Sequence, residues 1–134
     1  MTGIYNLDQI LVSLKPVLQD KEYIFCTFEN TTLKDVLHLN PLATFGEQEG
    51  LTLVLDKETA INNSIPFESS YRLITLSVHS SLEAVGLTAA FAGKLAEKGI
   101  SANVMAAYYH DHIFVPVDKA EEAMYALLEL QTRK

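Results

Sequence analysis

The chain has 134 residues, enough for one domain or two very small ones, and its 49% hydrophobic content supports a real core. Ten basic against 17 acidic residues, a net charge of −7, argue against a nucleic-acid surface, which needs a basic patch to neutralise phosphates. Cys26 is the single cysteine, so there is no disulfide framework; MTGIYNLDQ has no secretory pattern and no apolar run approaches the ~18 residues of a membrane span, so a soluble, cytoplasmic protein with no membrane partner is expected.

In chain order, Asn6 or Asp8 is placed to cap a helix in which Leu7, Ile10, Leu11, Leu14 and Leu18 share a face. Pro16 should end that helix or kink it at Lys15. EYIFCTF (22–28) reads as a strand with apolar residues on both faces apart from Thr27, hence one covered on both sides or nearly so. Cys26 within it reads as a buried, inert thiol. In ENTTLKDVLHLNP (29–41), Thr32 with Asp35 marks a turn of helix. LATF (42–45) and LTLVLD (51–56) are strands around GEQEG, where Glu47 and Glu49 read as solvated turn residues. KETAINNS is a short helix or turn, and IPFESS (65–70) links to the second half.

The second half is more regular. YRLITLSVH (71–79) alternates Ile74, Leu76 and Val78 with Thr75, Ser77 and His79, the period of a strand. After SSLEAVG, Leu87, Phe91 and Leu95 recur four apart on one helical face, and Gly99 suits a left-handed helix stop. ISANVMAAYY (100–109) is a strand, His110–Asp111 a tight turn, and HIFVPV (112–117) the returning strand. Asp118 with Glu121 resembles a capping box for a last helix with the stripe Ala120, Ala123, Met124, Leu127 and Leu130.

This order, β-α-β-β-α, is that of ferredoxin-like α+β folds with one strand absent. The N-terminal half or a second copy of the chain must supply the missing strand. The end of the first strand, the SSLEAVG turn and the hairpin then lie at one end of the sheet, gathering His79, Ser80, Ser81, Glu83, Gly86, Tyr108, His110, Asp111 and His112. Leu73, Met105 and Phe114 fall on the sheet face away from the helices, which should therefore be covered by the other repeat or by another subunit. Pro116, lacking an N–H, must sit at a strand end or a bulge.

The runs VHSSLEAVGL and KGISANV resemble the ACT domain, a small regulatory module that binds amino acids. GLTAAFAGKLAEKGISANVMAAYYHDHIFVPV and EGLTLVLDKETA are similar to the tandem ACT group that includes the CASTOR-type arginine sensors, so the resemblance covers most of the chain. It implies two incomplete βαββα repeats, at 1–66 (degenerate) and 67–134, packed as one compact unit with mostly antiparallel sheets and helices on one face. His79 resembles the histidine before the glycine turn in the serine-binding ACT modules of phosphoglycerate dehydrogenases, but Ser101 stands where that group has asparagine.

No nucleophile–base set, nucleotide loop or zincin motif is present, so neither an enzyme nor a cofactor is expected. The resemblance implies instead a regulatory protein whose ligand is an amino acid. In that reading the amides of Val85, Gly86 and Leu87 at the helix start take a carboxylate, Asp111 takes the ammonium or guanidinium, and His79 and Glu83 tune selectivity. A homodimer or larger assembly is expected, with output through a partner protein that the sequence does not name. Two other readings stand beside this one. Gly86 serves the turn alone and Asp111 the hairpin alone, in a structural or protein-interaction module; or His79, His110, Asp111 and His112 hold a metal.

Overall fold

The structure, a computed structural model, describes residues 6–77 and 85–131. Contacts divide the chain into two units, one of residues 1–20 with 72–134 and one of residues 21–71.

The first unit opens with α1 (Leu7–Val12), capped by Asn6, whose side chain accepts from the Gln9 amide at 3.1 Å. The sequence leads one to expect a longer helix running to Leu18. It ends at Val12 instead, and Lys15, left-handed at φ 45°, passes the chain to β1 (Pro16–Phe28). Pro16 sits where a strand tolerates proline, at its first residue. β1 is thus 13 residues long and begins six residues ahead of the apolar run that announced it. Its first five residues belong to this unit.

Here β1 lies beside β4 (Tyr71–Leu76), followed by β6 (Asp111–Pro116) and β5 (Asn103–Ala106) at the edge. β4, α4 (Leu87–Glu97), β5, β6 and α5 (Ala120–Gln131) are the ferredoxin-like order lacking its last strand, and Pro16–Asp20 fills that place. The N-terminal half does supply the missing strand. The core under the helices joins Ile10 and Leu14 to Ile74, Leu76, Ile113 and Val115, and to the buried faces of α4 and α5.

Leu87, Phe91 and Leu95 are all buried, as their spacing requires. Gly99 (φ 72°) ends α4 with its N–H on the Ala96 carbonyl and that of Ile100 on the Leu95 carbonyl, the paired bonds of a Schellman stop. On α5 the stripe is Ala120, Ala123, Ala126, Leu127 and Leu130, with Met124 only half-buried.

Two expectations need correction here. The β5–β6 connection is residues 107–110, closed by the Ala107 amide on the His110 carbonyl. Asp111 is therefore a strand residue opposite Ala106, not a turn residue. The last helix opens through a 3-10 turn (Val117–Lys119) after Pro116, with no side-chain cap bond there, so Asp118 is not its cap. Leu73 and Phe114, on the face away from the helices, are buried within the single chain at 6% and 1% exposure, so of the two covers expected for them a second subunit is not required. Pro116 ends β6, as its missing N–H demands.

The second unit has the order β2 (Ala43–Gly46), β3 (Leu51–Asp56), then β1 over Tyr23–Phe28, all antiparallel. α2 (Leu33–Val36) carries the Thr32–Asp35 capping box, and α3 (Lys57–Asn62) is capped by Asp56 accepting from the Glu58 amide at 2.9 Å. The core is Ile24, Val36, Leu39, Leu53, Leu55 and Ala60. Of the residues 22–28, only Ile24 is fully buried; Tyr23, Phe25, Cys26 and Phe28 are half-buried. No helix among the described residues is long and apolar enough to cross a membrane.

Candidate functional site

Of the residues singled out from sequence, Val85, Gly86, Leu87 and Asp111 lie in the first unit, while His79, Glu83 and the neighbouring Ser80 and Ser81 lie outside the described residues. Gly86 is the N-cap of α4, at φ 96°, a left-handed angle that glycine adopts without a Cβ clash. The first intrahelical bond runs from the Ala90 amide to the Gly86 carbonyl, so the amides of Leu87, Thr88 and Ala89 precede the helix's own ladder. Val85 is 84% exposed, whereas Leu87 turns into the core. A Cβ placed on Gly86 would come within 3.2 Å of Leu7 Cδ2, so the N-terminal helix reaches this corner.

Asp111 begins β6 and is half-buried. Desolvation pushes its carboxyl above the usual range, opposed by the nearby His112 and His110 rings. Its interactions are with those two histidines, not with the start of α4, and no hydrogen bond or ion pair reaches the carboxylate among the described residues.

A relay that the sequence did not announce crosses the face away from the helices. Gln19 Nε2 donates to Thr75 Oγ1 at 3.3 Å, and Thr75 Oγ1 lies 3.0 Å from His112 Nδ1, with Met105 opposite His112 on β5. The assignment that uses each group once has Thr75 donating to Nδ1, which leaves the neutral ring's proton on Nε2. Burial holds His112 below its ordinary pKa, His110 adds to this, and Asp111 opposes it. Gln19 escaped the sequence reading because its strand was not recognised. Its only sequence signal is Pro16, an allowed strand opener.

Cys26 is half-buried and its thiol is pushed up by desolvation, which suits an unreactive role. Glu47 and Glu49 are both exposed. No cluster of three or more His, Cys, Asp or Glu side chains in metal-binding geometry occurs among the described residues.

Two family models, both of the ACT domain, match the chain, one over residues 2–72 and the other over residues 68–129. No curated protein matches it. Among solved structures, a Vibrio cholerae protein of unknown function, a possible transport protein, is 55% identical over 94% of this chain and 96% of that one, with a TM-score of 0.87. Aspartokinase III of E. coli, solved in complex with aspartate and ADP, is 13% identical and superposes with a TM-score of 0.65 over 88% of this chain and 33% of its own. The regulatory subunit of aspartate kinase from Thermus flavus is 10% identical, with a TM-score of 0.60 over 86% of this chain and 95% of that one. At such identities the last two show a shared fold.

Proposed function

Since the chain belongs to the ACT domain family, we propose that it is a regulatory protein, not an enzyme, that binds a free amino acid or a similar small metabolite in its first unit. The observation that carries this reading is Asp111, a half-buried carboxylate with a raised pKa and no hydrogen bond or ion pair among the described residues. Such a group costs the empty protein free energy that an incoming ammonium or guanidinium would return. The amides at Val85–Leu87, ahead of the helix's first internal bond, are proposed to take the ligand carboxylate, where the dipole end of α4 favours an anion. His79 and Glu83 are proposed to set selectivity. The aspartate in the E. coli aspartokinase complex makes an amino acid the first class to test.

A homodimer or larger assembly belongs to the same proposal; β2 and β5 end their strand orders and leave edges that another chain can pair with. Regulation then passes to a partner protein. A second reading, an interaction module without a ligand, is favoured by one contact: Leu7 already stands beside the space that Gly86 leaves open.

Thermal unfolding with each of the twenty amino acids separates the two. A ligand at 100 times its dissociation constant adds about 2.7 kcal/mol, visible as a shift of several degrees. Such a shift, lost in Asp111→Asn, supports the sensor; no shift with any amino acid at millimolar concentration leaves the interaction module.

A further inference from the structure

We propose that the second unit carries a separate binding site, for an apolar ring-bearing amine, in the cleft between the end of β1 and residues 65–71. The cleft measures roughly 430 Å³, within the span of small-molecule sites. Phe25 and Phe28 line it from β1, Phe67 and Tyr71 from the segment opposite. The Phe25 and Tyr71 rings meet edge to face, 5.4 Å apart at 81°, which sets one wall. None of the four rings is fully buried, so the cleft holds aromatic surface that a flat apolar guest would take from water.

Charge selects the guest. Among the described residues Glu68, exposed at the cleft, is the one charged residue lining it, and no cation lines it. A free amino acid would bring its carboxylate against Glu68 with nothing to neutralise it. An amine carrying the same ring would pair with Glu68 and lose no interaction by lacking the carboxylate. The class is thus distinct from the ligand proposed for the first unit. The two walls also differ in how they are held. β1 is paired to β3 over Tyr23–Phe28, whereas residues 65–70 belong to no helix or strand and can adjust around a guest.

The test uses the full chain and three probes with one ring: 2-phenylethylamine, its neutral analogue 2-phenylethanol, and 3-phenylpropionate. Cys26 lines the cleft and is the single cysteine of the chain, so its alkylation, slow because burial raises the thiol pKa and therefore followed at mildly alkaline pH, reports occupancy. Saturable binding of the amine is expected, slowing alkylation of Cys26 about threefold or more, with 3-phenylpropionate without effect. Glu68→Gln should keep the wild-type melting point, lower amine affinity about threefold, and leave 2-phenylethanol binding unchanged. No saturation by about 10 mM amine, equal binding of the acid, or undiminished amine binding in Glu68→Gln would overturn the assignment. None of these outcomes depends on Asp111, so the sites of the two units are tested separately.

Discussion

The guanidinium of Arg72 on β4 grips the main chain of Gln19 on β1, with Nε and Nη2 donating to one carbonyl at 2.9 and 2.7 Å. The two residues are 53 apart in sequence, and their bond marks where the N-terminal segment becomes the fourth strand of the C-terminal fold. Beside it, the Ser77 amide donates to the Lys15 carbonyl at 3.2 Å.

The fragment 67–134 should therefore not fold alone. It loses this strand and also Ile10 and Leu14, both at 0% exposure in the core under α4 and α5. Burying two such side chains contributes on the order of 3–6 kcal/mol, a large part of the stability of a small domain. Circular dichroism and urea unfolding of the fragment check this; a cooperative, monomeric transition would contradict it.

Gly86→Val should destabilise the empty protein by roughly 1–3 kcal/mol, because φ 96° is costly for a β-branched residue. The Leu7 methyl 3.2 Å from the new Cβ adds to the strain. Gly46→Ala is the control: its Cβ would meet nothing within 4 Å, and its backbone is not left-handed, so its urea midpoint should barely move. Equal effects of the two substitutions would mean that neither the angle nor Leu7 matters.

Asp111→Asn should raise the melting point of the empty protein at pH 7. The folded carboxyl is held above its unfolded value, so the fold binds this proton more tightly than the unfolded chain does. Its contribution is favourable below the ordinary aspartate range and is lost as pH rises through the raised folded value. At neutral pH the group is a liability that asparagine removes. A fall in melting point would instead give Asp111 a structural role in the hairpin.

His112 works in the opposite sense. Its folded pKa is held below the ordinary histidine value by desolvation and by His110, so the stability it supports is complete above about pH 6.5 and is lost as pH falls through the lowered value. Unfolding midpoints between pH 7.5 and roughly 5 should decline, and His112→Gln, which cannot charge, should flatten that slope. An unchanged slope in the variant would assign the acid sensitivity elsewhere.

Much of this protein is written in short-range pattern. The four-residue spacing of Leu87, Phe91 and Leu95, the Gly99 stop, the Thr32–Asp35 box and the β2–β3 hairpin each depend on residues within about ten positions of one another. Local sterics and hydrogen bonds decide such features before any distant contact forms. The ACT resemblance and the need for a borrowed strand were also legible, since the C-terminal pattern is one strand short. Which segment would be borrowed was not. Val17 and Leu18 are adjacent apolar residues followed by the polar Gln19, Asp20 and Lys21, so this run shows no strand-like alternation of apolar and polar residues; its extended form is held by Arg72 and by the neighbouring strand. The burial of Leu73 and Phe114, the Gln19–Thr75–His112 relay, and the half-buried setting of Asp111 beside His110 and His112 belong to the same class. Each depends on which distant segments meet, and that is settled by the balance of burial against chain entropy over the whole fold, which no local spacing encodes.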